Sequence, residues 1–109
     1  MKRGEIWTVA GGGLYTSKPR PCVIIQADDF NAIPSITVCL FTSSQRVAPL
    51  MRIPVDPTSF NGLSSPCSLM VDKLSTVPRE RLGNRIGQLE ADLQLRLNRS
   101  ILVFLGLAR

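Results

Sequence analysis

The first candidate for chemistry is a cationic segment, Lys18-Pro19-Arg20-Pro21, which stands directly before an apolar run. Proline fixes its own backbone and favours an extended conformation in the residue before it, so Arg20 is held between two rigid neighbours. An immobilised guanidinium binds phosphate or carboxylate through parallel hydrogen bonds. Composition alone favours a surface turn with incidental charge, so the segment indicates an anion site only together with other residues.

Further polar groups follow apolar runs in the same way. Thr42 and Ser43 end one run, and hydroxyls at a strand end donate to a phosphate oxygen or, more commonly, cap a turn. Asp72 ends another run, where a carboxylate serves as a base or as the partner of an arginine. Glu5 is a remote second candidate for the base. These positions are ends of predicted strands, where small β-structures gather functional groups.

Histidine is missing from the sequence, which excludes whole classes of catalytic site. Neither a Ser-His or Cys-His nucleophile pair nor a histidine-ligated zinc site can form. In an enzyme of this composition, carboxylates, arginines, lysines and hydroxyls must transfer protons and stabilise charge. The cysteines Cys22, Cys39 and Cys67 form no CxxC motif, and an odd number of them suits a reducing cytoplasm.

The 109 residues are predicted to form a single domain over residues 1–109. A hydrophobic content of 44% argues against a disordered chain. A formal net charge of +5 favours an anionic partner, either nucleic acid or an acidic protein segment, although an ordinary basic protein carries the same charge. The apolar run after Lys2-Arg3 is too short for a signal peptide, and residues 101–108 are too few to span a membrane.

Short apolar runs separated by glycine, proline, serine and asparagine predict strands joined by loops. The nearly unbroken run 22–26 indicates a central strand covered on both faces. The run 51–55 contains Pro54, which has no N–H for a ladder, so it predicts an edge strand or a strand end. The full set of predicted strands is 5–10, 22–26, 36–42, 51–55, 68–72 and 85–89, with a helical turn at 78–81.

Near the C-terminus apolar residues recur every four positions, which predicts an amphipathic helix over residues 90–105. Leu95 and Leu102 add a second apolar line on another face, which fits a subunit interface and a deeply buried helix equally well. Many short strands followed by one helix predict an α+β fold, a small SH3-like antiparallel β-barrel with a C-terminal amphipathic helix. The main apolar stripe consists of Leu93, Leu97, Ile101 and Leu105, with Phe104 beside it.

Several segments, in their order and spacing, carry a family resemblance. They are MKRGEIW at the start, KPRPCVII around Arg20, VCLFTS through Thr42, VDKLSTV around Asp72, and RLG followed by IGQL before the helix. Together they resemble the MazF/PemK toxins, the endoribonuclease half of a toxin–antitoxin pair. No single segment is specific, but the combination is.

The resemblance implies a homodimer, related in fold to the gyrase poison CcdB, that cuts single-stranded RNA at short sequences without a cofactor or metal. Attack by the ribose 2′-OH would leave a 2′,3′-cyclic phosphate and a 5′-OH. By position, Arg20 and Thr42 match the family's catalytic arginine and hydroxyl, Ser43 stands beside them, and Asp72 matches an aspartate of some members. The residues expected to contact RNA are Lys18, Arg46, Lys73 and Tyr15, of which Tyr15 either stacks on a base or packs within its loop.

The implied partners are single-stranded RNA, a cognate acidic antitoxin whose flexible tail folds on binding, and operator DNA bound together with that antitoxin, but no membrane. Two other functions remain open. A non-enzymatic gyrase poison would leave the segments around Arg20 and Thr42 unexplained. A DNA-binding co-repressor module is compatible with a toxin that also cuts RNA.

Overall fold

The structure is a computed structural model that describes residues 1–10, 18–44 and 46–109. Those residues form six strands and one α-helix, and the strands near both termini lie close to their predicted positions. Two short 3₁₀ turns are present, Asp28–Phe30, which the sequence did not predict, and Arg79–Arg81, which it did. In chain order, the elements are β1 (Glu5–Val9), β2 (Arg20–Ile24), β3 (Ser35–Thr42), β4 (Arg52–Val55), β5 (Cys67–Pro78), β6 (Leu82–Gln88) and α1 (Ala91–Phe104).

The strands form one antiparallel sheet in the order β4-β5-β3-β2-β1-β6. Strand β2 is an inner strand and β4 is an edge strand, as the sequence predicted. Strand β5 is much longer than the predicted 68–72. Its register against β3 shifts between Leu69 and Leu74, so the strand bends and pairs with both β4 and β3. The bend curls the sheet.

Side chains of β2 and β3 alternate between two apolar clusters, one on each face of the sheet. Val23 and Cys39 belong to the larger cluster, together with Leu97 of α1. Cys22 and Ile24 belong to the smaller cluster on the opposite face. Because both faces of the inner strands are buried, their sequences are almost unbroken apolar runs.

Helix α1 packs against the larger cluster through part of its predicted stripe. Leu97 is buried, and Leu93 and Ile101 pack against the cluster in partly buried positions. Leu95 is 71% exposed and Leu102 is 44% exposed, so the alternative of a deeply buried helix is wrong. Within the described residues, no helix is long and apolar enough to cross a membrane.

The α+β class is confirmed, but the sheet is not a closed barrel. Strands β4 and β6 lie at opposite edges, and the described residues show no ladder between them. The loop after β4 bridges this gap, since the carbonyl of Phe60 accepts a hydrogen bond from the N–H of Gln88 at 3.2 Å. A side chain at Gly87 would stand 2.2 Å from the carbonyl oxygen of Asn61, so the close approach requires glycine there.

The bridging loop is fixed by Asn61, which is completely buried. Its Oδ1 accepts hydrogen bonds from the N–H groups of Thr58 and Leu63, both at 3.0 Å. Its Nδ2 donates to the carbonyl of Asp56 at 2.9 Å and to the carboxylate of Glu90 at 3.2 and 3.3 Å. The Thr58 hydroxyl donates to the same carboxylate at 2.7 Å. Since Glu90 directly precedes α1, the network joins the loop to the start of the helix.

We expect Asn61→Ala to lower the free energy of unfolding by about 3 kcal/mol, because it leaves buried N–H groups and a carbonyl without partners. Urea unfolding followed by circular dichroism measures the change. Ser59→Ala, an exposed position in the same loop, is the control and should stay within about 0.5 kcal/mol of the native protein. Equal stability of the two variants would contradict the role assigned to Asn61.

Candidate functional site

Arg20 begins β2 and Thr42 ends β3, so both lie at the same end of this antiparallel pair. Cys22 pairs with Leu40, and continuing this register by two residues sets Arg20 opposite Thr42. On its other side, Arg20 pairs with Val9 of β1. Directly opposite residues on one sheet face have neighbouring side chains. The sheet therefore places an exposed guanidinium beside a partly exposed hydroxyl.

The chain leaves β3 through two consecutive hydroxyl-stabilised turns. The Thr42 hydroxyl accepts a hydrogen bond from the N–H of Ser44 at 3.2 Å, and the Ser44 hydroxyl accepts one from the N–H of Arg46 at 3.3 Å. A hydroxyl that accepts one hydrogen bond can still donate its own hydrogen. Capping the turn and donating to an anion are therefore compatible functions for Thr42.

Two cavities meet at this pair, with volumes of about 390 and 320 Å³, and both are lined by Arg20, Phe41 and Thr42. The first cavity continues over the smaller apolar cluster. The second continues towards the loop that Asn61 holds, where Ser64 and Ser65 line it with Ser43. An extended ligand can thus occupy both cavities with its middle at Arg20.

The first cavity is cationic, because Lys18, Arg20 and Arg81 all line it. Among the described residues that line either cavity, none is a carboxylate. A concave surface with cations and no opposing carboxylate concentrates anions. Arg81 was missed by the sequence analysis. The sequence signal that could have found Arg81 was its place among other cations between two apolar runs. Its position beside Arg20, however, results from the pairing of strands that are distant in the chain.

Asp72 lines neither of the two cavities at Arg20. It forms an ion pair with Arg52 of β4. The hydrogen bond from Arg52 holds the pKa of the Asp72 carboxyl below its ordinary value. A general base that works near neutral pH needs a raised pKa. The ion pair therefore argues against Asp72 as the base and supports the alternative in which Asp72 is the partner of an arginine.

Glu5, the second candidate base, is also committed to structural contacts. Burial alone raises its pKa, but hydrogen bonds from the Lys2 N–H and the Trp7 indole, together with the Arg85 guanidinium, outweigh burial and leave the pKa lowered. The Trp7 Nε1 donates to its carboxylate at 3.0 Å, and the Arg85 Nε lies 3.2 Å from it. Neither described cavity at Arg20 includes Glu5 in its lining.

The remaining predicted RNA contacts lie in different parts of the structure. Lys18 lines the first cavity beside Arg20. Arg46 lines a third cavity with Arg52, and Lys73 is exposed on β5 without lining any of the three cavities. Tyr15 lies outside the described residues.

A sequence profile of the PemK-like, MazF-like toxins of type II toxin–antitoxin systems matches residues 2–105. The chain belongs to this toxin family. The match includes every residue that lines the two cavities at Arg20. It confirms the family resemblance that the sequence motifs indicated.

Individual toxins of the family agree with this assignment. A protein of Mycolicibacterium smegmatis named probable endoribonuclease MazF is 52% identical over 108 residues, which cover 99% of each chain. The solved Mycobacterium tuberculosis toxin MazF-mt6 is 26% identical, with a TM-score of 0.80 over 96% of this chain and 99% of that chain. A mycobacterial endoribonuclease in complex with its cognate antitoxin shares the fold, with a TM-score of 0.82 at 19% identity over 100% of this chain and 98% of that chain.

In this member of the toxin family, we expect Asp72→Asn to lower stability at pH 7 and to lower it less at an acidic pH at which the Asp72 carboxyl is protonated in the folded protein. The Asp72 pKa is lowered by Arg52, so the carboxylate stabilises the fold above the ordinary value of 3.8, and this stabilisation is lost as the pH falls through the lowered pKa. Urea unfolding at both pH values measures the difference. Asp56→Asn, at an exposed loop residue, is the control and should show no such pH dependence. A loss of stability that is the same at both pH values would contradict the ion pair.

Proposed function

We propose that this protein is the endoribonuclease toxin of a toxin–antitoxin pair, and that it cuts single-stranded RNA where the two cavities meet. The observation that carries the proposal is that Arg20 and Thr42 both line each of two adjoining cavities whose described lining includes no carboxylate. Membership of the toxin family and the name of the relative from Mycolicibacterium smegmatis support the same reaction.

The proposed reaction uses the nucleophile that RNA itself contains. The 2′-oxygen attacks the adjacent phosphorus, a new P–O bond forms, and the bond to the 5′-oxygen breaks. The products are a 2′,3′-cyclic phosphate and a 5′-OH. The proton of the 2′-OH passes to solvent or to a phosphoryl oxygen, and the departing 5′-oxygen takes up a proton from solvent. No metal or cofactor is needed, because the protein has only to orient the phosphate and stabilise its growing charge.

Arg20 supplies that charge stabilisation. A guanidinium stays protonated in proteins, so it acts as a fixed cation and hydrogen-bond donor to the phosphoryl oxygens and not as a base. Thr42 donates its hydroxyl hydrogen to a second phosphoryl oxygen, with Ser43 next to it at the entrance of the second cavity. Asp72 and Glu5 take no part in proton transfer in this proposal, since both carboxylates are held by other groups.

The cavities on either side of Arg20 would receive the nucleotides that flank the cut. Lys18 and Arg81 line the first cavity and would hold a neighbouring phosphate. Bases can enter such cavities only when they are unpaired and unstacked, which favours single-stranded RNA over a duplex. The stacking role of Tyr15 and the base contact of Lys73 remain predictions from the sequence.

The proposal includes the partners that the family resemblance implies. A net charge of +5 and cavities without described carboxylates favour an acidic antitoxin segment, and operator DNA bound with that antitoxin is a further expected ligand. A homodimer would cover the apolar residues that α1 leaves exposed, among them Leu95 and Leu102. The toxin would act in the cytoplasm, where RNA is present and its buried thiols stay reduced.

We expect Arg20→Ala to lower the rate of RNA cleavage by about 10²–10³, because one charge-stabilising donor in an active site contributes that much. Arg20→Lys should recover only part of the rate, since lysine keeps the charge but not the two parallel hydrogen bonds. The assay follows a labelled single-stranded RNA under single-turnover conditions with EDTA present, and the ends of the products are identified chemically.

Arg109→Ala, an exposed arginine beyond the end of α1 and outside the lining of both cavities, is the matched control and should cleave at the native rate. Circular dichroism of each variant verifies the fold. Near-native cleavage by Arg20→Ala, or cleavage that stops in EDTA and returns with Mg²⁺, would contradict the proposed mechanism.

A further inference from the structure

A third cavity, of about 230 Å³, lies beside the edge strand β4. Its lining includes an arginine from each of three elements, namely Arg46 from the loop after β3, Arg52 from β4 and Arg96 from α1. The cavity shares no lining residue with the two cavities at Arg20. The cleavage mechanism proposed above therefore gives this group of arginines no function.

Strand pairing connects the third cavity to the site at Arg20. Thr42 of β3 lines both cavities there, and its partner on β5 is Ser68, which lines the third cavity. Similarly, Met70 lines the first cavity, and its partner on β4 is Arg52, which lines the third. Directly opposite residues have neighbouring side chains on one face of a sheet. The first and third cavities are therefore neighbours on the face that holds Thr42.

The distance between the two sites suits an extended polynucleotide. Three strand steps separate β2, which holds Arg20, from β4. At the ordinary separation of neighbouring strands, this is about 14 Å along the sheet. A short stretch of single-stranded RNA covers such a distance, and proteins that bind single strands use a cationic groove that follows the backbone. A strand held at Arg20 can therefore continue into the third cavity.

The charge of the third cavity comes from two of its arginines. Arg46 and Arg96 are exposed, and the ion pairs recorded for the described residues include neither of them. Arg52 is neutralised by its ion pair with Asp72, and its side chain is only 11% exposed, so it forms a fixed wall. The cavity therefore has an excess positive charge that attracts an anion.

Ser68 adds a hydroxyl to the same cavity. The residue is 4% exposed, and the hydrogen bonds of the described residues include none from its side chain. A buried hydroxyl without a partner costs free energy, and an acceptor oxygen in the cavity would remove that cost. Arginine and serine side chains are among the groups with which proteins contact the phosphates of nucleic acids. The hydroxyl and the two arginines together form a site for a phosphate group.

We propose that the third cavity binds a phosphate of the same RNA strand, a few nucleotides away from the scissile phosphate. Arg46 and Arg96 pair with its oxygens, and the Ser68 hydroxyl donates a hydrogen bond to it. The proposal rests on the proposed function for the identity of the strand. A contact far from the reacting atoms binds the ground state and the transition state equally, so this one lowers KM and leaves kcat unchanged.

The first test measures binding without cleavage. The probe is a fluorescent single-stranded RNA with 2′-O-methyl groups, which cannot be cut, followed by anisotropy over a range of salt concentrations. Each phosphate contact on a single strand contributes about 0.7 to the slope of log affinity against log salt. We expect Arg96→Gln and Arg46→Gln each to lower the slope by about 0.7. Arg109→Gln removes the same charge at an exposed position outside all three cavities and should keep the native slope.

The second test locates the phosphate along the strand. An RNA that the native protein cuts is shortened one nucleotide at a time from each end, and kcat and KM are measured for each length. We expect Arg96→Gln to raise KM for the long RNA at unchanged kcat. The difference from Arg109→Gln should vanish once shortening from one end, and only from that end, removes the phosphate.

Three results would overturn the proposal. The first is one slope for Arg96→Gln, Arg46→Gln and Arg109→Gln. The second is a KM penalty of Arg96→Gln that persists in the shortest RNA that is still cut. The third is binding of inorganic phosphate that Arg96→Gln abolishes while the RNA slopes stay native, which would make the cavity a site for a free anion. A protein that shows the expected slopes but cuts no RNA would instead refute the proposed function and leave the phosphate site supported.

Discussion

The antiparallel register between β2 and β3 is the constraint on which the site depends. It pairs Cys22 with Leu40, and the same register continued by two residues sets Arg20 opposite Thr42. A shift of one residue would move the Arg20 side chain to the other face of the sheet relative to its neighbours. Such a shift is prevented because Cys22 and Val23 are buried in different clusters on opposite faces. Core packing therefore keeps the cation and the hydroxyl on the same face of the sheet.

A second constraint acts at the open side of the sheet. Strands β4 and β6 are not paired in the described structure, and the loop after β4 takes the place of a ladder. Asn61 fixes that loop through its bonds to Thr58, Leu63 and Glu90. The residues immediately after Asn61 line the second cavity. The polar network thus holds one wall of the proposed RNA site, while the sheet register holds the other.

The sequence predicted features that depend on local pattern. The apolar run after Arg20 indicated an inner strand and Pro54 indicated an edge, and both are confirmed. The anion site indicated by proline-flanked Arg20 and the strand-end hydroxyl stays a prediction. Features set by long-range pairing were not predictable in this way. The bend of β5, the approach of Arg81 to Arg20 and the ion pair of Asp72 with Arg52 each join residues that are distant in the chain. Local composition carries no information on which strand end meets which.

The central claim is that Arg20 and Thr42 act on the same phosphate, and a double-mutant cycle on single-turnover RNA cleavage tests it most directly. The cycle compares Arg20→Ala, Thr42→Val and the double variant with the native protein. Groups that stabilise one transition state are strongly non-additive. The account predicts that the double variant cleaves about as slowly as Arg20→Ala alone. Losses that multiply across the two variants, as for independent sites, would contradict it.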